Sequence, residues 1–197
     1  QFGTNHLGHF LFTCLLAPAL MAGAPARVVN LSSKGHRLGG IDFDDPNYLS
    51  RPYDKWQAYG QAKTANALFS VALDRRLAER GVRAYAVHPG MIVTELGRHL
   101  DQADIDALSA GAGNQSMQLK SIPCGAATSV WAATSPELEN RGGLYLEDCG
   151  IAQVGDPQSG HGVAEYAIDP ELADRLWQLS ERLVSQAFTF NRGRQAD

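Results

Sequence analysis

The sequence predicts an α/β domain built around a parallel sheet. Residues 27–31 and 82–87 are two short apolar segments with the pattern of central strands that are buried on both faces. A segment with helical spacing of apolar residues precedes each of them, and such alternation is typical of parallel sheets. Polar and turn-forming residues follow each strand, at the carboxyl end where open α/β sheets bind ligands.

The first half of the chain contains two predicted helices separated by a long loop. Asn5 stands where it could cap an apolar helix over residues 6–21. Residues 34–55 are polar and contain glycine and proline, so we expect a loop of a length that is uncommon without a function. A second helix covers residues 59–80 and ends at Gly81, a residue suited to the left-handed position after a last turn.

The second half is expected to hold a lid, a third strand and two helices. Residues 95–122 are polar and only weakly helical, which favours a mobile lid. The remaining elements are, in order, an alanine-rich helix at 124–134, a strand at 143–146 and a last helix that begins at Asp169-Pro170. Together the elements predict one domain over residues 1–188, followed by a polar tail at 189–197.

Composition excludes several classes of function. The net charge of −4 offers no basic surface for nucleic acid or for an anionic membrane. The longest apolar run, residues 10–22, is interrupted by Thr13 and Pro18, so no membrane span is expected. Three scattered cysteines lack the spacing of metal ligands, which predicts buried thiols, no metal site and a reducing, cytoplasmic location.

Tyr59 and Lys63 form the central motif of the functional interpretation. Side chains four residues apart lie on the same face of a helix. A lysine ammonium beside a phenol favours the phenolate, so we expect Lys63 to lower the Tyr59 pKa from its usual value of about 10. A tyrosine adjusted in this way can exchange a proton with a carbonyl or alcohol oxygen. The Tyr-x-x-x-Lys spacing also occurs by chance in many helices, so the interpretation needs partners elsewhere in the chain.

Four motifs together resemble the short-chain dehydrogenase/reductase family. In chain order they are Asn5 in Asn-His-Leu-Gly-His-Phe, Ser33 in Val-Val-Asn-Leu-Ser-Ser, Tyr59 with Lys63, and Pro89-Gly90 followed by Thr94. The resemblance implies the C-terminal part of a Rossmann-type doubly wound parallel sheet. Within the family, the long segment between Ser33 and Tyr59 and the sequence Ala-Tyr-Gly-Gln-Ala-Lys-Thr-Ala-Asn are similar to the branch of retinol dehydrogenases and the WW-domain oxidoreductase.

The resemblance implies an oxidoreductase that interconverts an alcohol and a carbonyl by hydride transfer with a nicotinamide. Tyr59 would be the acid/base, Ser33 would hydrogen-bond the reacting oxygen, and Lys63 would bind the nicotinamide ribose. Asn5 would hold a water through its backbone carbonyl and so connect Lys63 to solvent. The residues expected to fix the carboxamide are Pro89, Gly90, Ile92 and Thr94. The branch favours NADP(H) over NAD(H), although no residue of the chain shows the choice.

Each of these residues also has a purely structural interpretation. Asn5 and Thr94 could be helix caps, and Ser33 could satisfy backbone groups after a strand. Other polar residues are interpreted as structural throughout: His36, His88 and His99 as loop or supporting residues, and Asp42, Asp44 and Asp45 as a solvated loop rather than a cation site.

The sequence departs from the family pattern at its beginning. The Thr-Gly-x-x-x-Gly-x-Gly turn that holds the dinucleotide pyrophosphate is not found in the 197 residues. We therefore expect a fragment that is nearly inactive alone. The alternative function is a non-catalytic binding or dimerisation module, because helices 6–21 and 59–80 match those that pair subunits in the family. The predicted lid favours an apolar alcohol, aldehyde or ketone as substrate, through Leu96, Leu100, Ile105, Leu108, Met117 and Leu119.

Overall fold

A computed structural model describes residues 1–92, 94, 102, 104, 119–155 and 161–190. Helices and strands alternate along these ranges, as the sequence predicts. In chain order they are a π-helical turn Gly3–Leu7, α1 Gly8–Ala22, β1 Ala26–Leu31, a 3₁₀ turn Lys34–Leu38, α2 Lys55–Leu77, β2 Val82–His88, β3 Met91–Ile92, β4 Leu119–Lys120, α3 Ile122–Thr134, β5 Leu144–Glu147, β6 Gly150–Ile151 and α4 Pro170–Leu183.

The main sheet has the strand order β1-β2-β5-β6. The first three strands are parallel, with Ala26 opposite Val82 and Tyr85 opposite Leu144. This arrangement confirms the predicted α/β parallel sheet. The antiparallel strand β6 was not predicted. It has only two residues, and the tight turn before it consists of Asp148-Cys149 at positive φ, without the Asn-Gly signature of such turns.

Both faces of the central strand β2 are covered by helices. Ala84 belongs to a core cluster with residues of α1, α2 and α4, including Phe10, Phe69 and Trp177. The neighbouring Tyr85 points the other way and packs with Ala132 of α3. Side chains alternate between the two faces of a strand, so this burial explains why β2 is apolar almost throughout.

The first helix begins earlier than predicted, which corrects the placement of Asn5. Asn5 lies inside the π-helical turn Gly3–Leu7, and its backbone N–H donates to the Gln1 carbonyl at 2.8 Å. It is therefore not an N-cap. Phe2 is buried against the His6 ring, with ring centroids 5.1 Å apart, and this contact anchors the earlier helix start.

The helical segment Gly3–Ala22 is long and apolar enough to cross a membrane by length and composition alone. The prediction that excluded a span relied on Thr13 and Pro18, but neither interrupts this helix. One side of the segment packs as a core helix does. Phe10 is fully buried and makes edge contacts with Phe69 and Trp177, at centroid distances of 5.4 and 4.9 Å.

The boundaries of α2 and α4 are set by the residues that cap them. Asp54 accepts a hydrogen bond from the Gln57 N–H at 2.7 Å, so α2 starts at Lys55 rather than at Tyr59. Gly81 has φ +72, which confirms the predicted left-handed residue after the helix. Asp169 accepts from two backbone N–H groups of α4, as predicted.

Three other predictions concern the loops, the thiols and the tail. The predicted lid falls largely outside the described residues, although its Leu119 is an exposed residue of β4. All three cysteines are free, but Cys124 and Cys149 are exposed, so the prediction of buried thiols holds only for Cys14. Phe190, assigned to the tail, packs on Trp177 with a centroid distance of 5.9 Å.

Candidate active site

Ser33 lies just beyond the carboxyl end of β1. It caps the 3₁₀ turn Lys34–Leu38, and its Oγ accepts a hydrogen bond from the Gly35 N–H at 3.1 Å. This contact agrees with the structural interpretation of the serine. The Ser33 hydroxyl also lies near the Tyr59 side chain, because a Cβ atom built on Gly35 would be 3.5 Å from Ser33 Oγ and 2.6 Å from Tyr59 Cε1.

Tyr59 is on the second turn of α2, with its ring pressed against the 3₁₀ turn. A Cβ atom on Gly35 would lie 2.6 Å from Tyr59 Cε1, and one on Gly60 would lie 2.7 Å from the Gly35 carbonyl oxygen. Both distances are shorter than real Cβ atoms tolerate. The two glycines therefore allow the serine turn and the tyrosine helix to touch.

Lys63 is one helical turn after Tyr59, on the same side of α2. Its Nζ donates to the Leu31 carbonyl at 3.2 Å and lies 5.5 Å from the centroid of the Tyr59 ring. Burial lowers the pKa of Lys63. The structure therefore brings Ser33, Tyr59 and Lys63 together beside the end of β1.

The expected effect of Lys63 on Tyr59 is wrong for this structure. Burial raises the pKa of Tyr59, and the nearby Ser33 side chain opposes this rise without reversing it. The Lys63 ammonium is held at the Leu31 carbonyl, beside the ring rather than on the hydroxyl. Desolvation of the phenol is thus the larger effect.

Asn5 is not joined to this group by a side-chain contact among the described residues. Its amide Nδ2 donates to the side chain of Gln1. The backbone around Asn5 is unusual, because it forms a π-helical turn, and such turns are frequent at functional sites. A second amide does reach the site: Asn66 Nδ2 donates to the Leu31 carbonyl at 3.0 Å, the same oxygen that Lys63 contacts.

The turn that follows β2 lies at the carboxyl end of that strand, which is the neighbour of β1 in the sheet. Gly90 has φ +89, and its N–H donates to His88 Nδ1 at 3.3 Å. A Cβ on Gly90 would meet the side chain of Lys120 at 2.7 Å, and Lys120 in turn pairs with Asp148. Ile92 belongs to β3, and Thr94 is an exposed residue of a bend. Pro89 precedes Gly90 in this turn, so the four residues form one segment beside the end of β2.

His36 is the functional candidate that sequence reasoning set aside. Its side chain is fully buried, and its ring nitrogens contact the Ser33 carbonyl, the Tyr145 hydroxyl and the Ala164 N–H at 2.7, 3.1 and 3.1 Å. Burial lowers the pKa of His36 to about 4. Its position three residues after Ser33 is the one sequence signal that could have indicated a role.

The acidic loop after Gly40 is folded onto α2. Arg51 pairs with both Asp42 and Asp45, at 3.4 and 3.9 Å. Gln61 donates to the Pro46 carbonyl at 2.8 Å and fixes the loop against the helix. Within the described ranges, no group of three or more His, Cys, Asp or Glu side chains is arranged to hold a metal ion.

Comparisons with known proteins agree with these features. The family model described as short chain dehydrogenase matches residues 1–105. A "probable oxidoreductase" of Streptomyces lividans is 44% identical over 194 residues, which cover 94% of this chain and 64% of that protein. Retinol dehydrogenase 13 of Homo sapiens is 44% identical over 185 residues, which cover 93% of this chain and 53% of that protein.

A solved structure also resembles the fold. The crystal structure of an uncharacterised protein from Mycobacterium paratuberculosis aligns with a TM-score of 0.66 and 33% identity, over 96% of this chain and 60% of that one. The chain thus spans between 53% and 64% of the length of the curated relatives described above. Its sheet is Rossmann-like, and the chain belongs to the short-chain dehydrogenase/reductase family, in its retinol dehydrogenase-like branch.

Proposed function

We propose that the protein interconverts an alcohol and a carbonyl by hydride transfer, with Tyr59 as the acid/base. The observation that carries the proposal is the proximity of the three side chains: Ser33 Oγ and the Tyr59 ring both lie against Gly35, and the Lys63 ammonium lies 5.5 Å from the ring centroid. A hydroxyl and a phenol at one point can both hydrogen-bond the same substrate oxygen.

The protonation state of Tyr59 determines whether it can donate or accept a proton. Because burial raises the pKa of Tyr59, the phenol carries its proton near neutral pH. It is therefore ready to donate when a carbonyl oxygen becomes an alkoxide, while Ser33 stabilises the same oxygen. In the oxidative direction the phenolate is needed, and a closer approach of Lys63 to the hydroxyl would favour it.

The described residues fit the nicotinamide end of a dinucleotide. The ammonium of Lys63 has three donors, and its one described hydrogen bond goes to Leu31. The other donors suit ribose hydroxyls, and backbone groups at Pro89, Gly90 and Ile92 with the Thr94 hydroxyl suit a carboxamide. When bound, the dinucleotide supplies or accepts the hydride. We propose NADP(H) rather than NAD(H), on the likeness to the retinol dehydrogenase-like branch.

The proposed substrate is an apolar alcohol, aldehyde or ketone. Two findings support this class: a relative that covers most of the chain is named a retinol dehydrogenase, and the segment between β3 and β4 contains the apolar residues Leu96, Leu100, Ile105, Leu108 and Met117. We also propose that residues 1–197 alone are nearly inactive, because they contain no glycine-rich pyrophosphate turn.

The substitution Tyr59→Phe, made in the full-length protein, tests the acid/base role. It removes only the hydroxyl, so kcat for reduction of apolar aldehydes and ketones with NADPH or NADH should fall about 100- to 10,000-fold, with little change in cofactor affinity. The control is Tyr53→Phe, which removes a phenol that is 60% exposed on the loop before α2 and should leave the rate unchanged. Turnover by Tyr59→Phe at the parent rate would contradict the proposal.

The alternative is a binding or dimerisation module without chemistry. It is favoured by the exposed apolar side of α1, where Phe12, Leu15 and Leu16 are 65%, 56% and 41% exposed. The predicted second helix of such an interface is less suitable, since α2 is buried within the chain along most of its length. A protein that self-associates but shows no turnover of any carbonyl with either cofactor would favour this alternative.

A further inference from the structure

We propose that His36 is a positioning residue that holds Ser33 at Tyr59 and connects the site to the segment between β6 and α4. This role rests on the proposed function of Ser33 and Tyr59. His36 belongs to the 3₁₀ turn that Ser33 caps, and its side chain is fully buried. Each of its polar groups has a partner in a different part of the fold.

The tautomer of His36 is determined by its partners. The Ala164 backbone N–H is a donor, so Nε2, 3.1 Å away, must accept and carry no proton. The neutral ring then carries its proton on Nδ1, which donates to the Ser33 carbonyl at 2.7 Å. The His36 backbone N–H donates to the same carbonyl at 3.0 Å. Two donors from one residue thus fix the peptide group of Ser33.

A second connection leads from His36 to the backbone of Lys63. The Ser32 hydroxyl, next to Ser33 in the chain, donates to the Lys63 carbonyl at 2.8 Å. The Tyr145 hydroxyl lies 3.1 Å from His36 Nδ1, so the N–H that donates to the Ser33 carbonyl is shared with this oxygen. The Ser32-Ser33 segment is thereby tied to His36 on one side and to the backbone of Lys63 on the other.

The third set of contacts ties the turn to the C-terminal segment. The Tyr166 hydroxyl and Thr64 Oγ1 both donate to the His36 carbonyl, at 2.7 and 3.0 Å. Ala164 and Tyr166 belong to a cluster that also includes Tyr145 and Ala67 of α2. Movement of the segment 163–167 would therefore displace His36 and, through it, the serine.

These contacts explain why a histidine is needed at position 36. A buried side chain at this point must donate on one side and accept on the other while remaining neutral. Asparagine can place a donor near the Nδ1 position, and glutamine can place an acceptor near the Nε2 position. The two substitutions therefore separate the contact with Ser33 from the contact with Ala164.

Nitrogen-15 NMR of the protein tests the tautomer without any need for turnover. We expect His36 to show a protonated Nδ1 and an unprotonated Nε2 within about one pH unit of neutrality. His36→Gln supplies the assignment by removing the signal. An Nε2-protonated ring, or a ring that is charged near neutral pH, would overturn the proposal.

Kinetics and a tyrosine titration test the positioning role. For His36→Gln in the full-length protein we expect kcat to fall about 10- to 100-fold with KM nearly unchanged, as for a small displacement of a catalytic group. His36→Asn, which can keep the donor to Ser33, should recover most of the loss. Carbon-13 labelling at Tyr59 Cζ should show a higher phenol pKa in His36→Gln than in His36→Asn, because the Ser33 side chain, which lowers that pKa, moves away from the phenol.

The outcomes separate this proposal from the proposed function. If kcat falls equally in His36→Gln and His36→Asn, and the falls follow the loss of melting temperature, the positioning role is overturned and His36 is a packing residue. If the parent protein reduces no carbonyl, the proposed function fails, and the Tyr59 titration alone decides whether His36 positions Ser33. An identical Tyr59 titration in both variants would then overturn the inference.

Discussion

Histidine burial is the main electrostatic feature at the level of single residues. His6 and His36 are fully buried, and burial lowers the pKa of His6 to about 3 and of His36 to about 4. His88 is only partly buried, and its pKa is also lowered to about 4, by burial and by the nearby Lys120. All three side chains are therefore neutral in the folded chain at neutral pH.

The free energy of unfolding should decrease as the pH falls from about 6.5 to about 4. Unfolded histidines take up protons in this window while the folded ones do not, so proton uptake favours unfolding. Above about pH 6.5 the histidines are neutral in both the folded and the unfolded state, so burying them costs no stability through protonation. For His36 the shift from 6.5 to about 4 corresponds to roughly 3 kcal/mol at most. Urea titrations at several pH values measure it.

Substitution separates this effect from general destabilisation. His36→Asn should flatten the dependence of the unfolding free energy on pH between about 4 and 6.5. Val71→Ala removes buried apolar volume but keeps all three histidines, so it should lower stability and preserve the slope. A parent chain with equal stability at both ends of the window would contradict the prediction.

At the scale of helices and strands, Asp74 connects α2 to β2. Its carboxylate accepts from the Ala84 N–H at 3.0 Å and from Arg83 at 2.8 Å. Gly142 makes room for it, because a Cβ there would lie 1.9 Å from the Asp74 Oδ1. The aspartate thereby satisfies a backbone donor near the start of the central strand.

Asp74→Ala should destabilise the chain by about 2–3 kcal/mol, because the Ala84 N–H loses its partner inside the protein and Arg83 loses its counter-ion. Asp74→Asn keeps an acceptor for Ala84, so it should cost less. The matched control is Asp174→Ala, which breaks a half-exposed pair with Arg75 and Arg76 and should cost less than about 1 kcal/mol. Equal urea midpoints for Asp74→Ala and Asp174→Ala would refute this role.

The elements that could be predicted from the sequence are those that depend on local signals. The buried strands β1 and β2, Gly81 after α2 and the Asp169 cap of α4 all follow from residues next to each other in the chain. The His36 contacts could not be predicted in this way, because their partners Tyr145 and Ala164 are 109 and 128 residues away. Likewise, the pKa of Tyr59 depends on burial, which tertiary packing decides.

At the scale of the whole molecule, the proposed function assigns the described site only one end of a dinucleotide-binding surface. Ser33, Tyr59 and Lys63 come together, whereas the glycine-rich turn expected to hold the pyrophosphate is not in the 197 residues. Backbone N–H groups at such a turn provide much of the affinity for phosphate. We therefore expect residues 1–197 alone to bind a dinucleotide only weakly.

Fluorescence titration of residues 1–197 with NADPH and NADH should show no saturable binding in the micromolar range. The physical reason is that only the nicotinamide end finds partners here. Lys63→Ala is the control, because it removes the ammonium beside Tyr59 and identifies any weak signal that comes from this site. Micromolar binding that Lys63→Ala abolishes would refute the expectation.

The contact between Gly35 and Gly60 has a consequence for how the protein could be altered. At this contact the Gly35 backbone touches α2 and the Tyr59 ring, so the spacing of the Ser33 hydroxyl and the Tyr59 phenol depends on the main chain rather than on adjustable side chains. Loops elsewhere in the chain could then be exchanged for others while these two groups keep their spacing. Replacing either glycine by a larger residue would separate the two groups even if every polar side chain were retained.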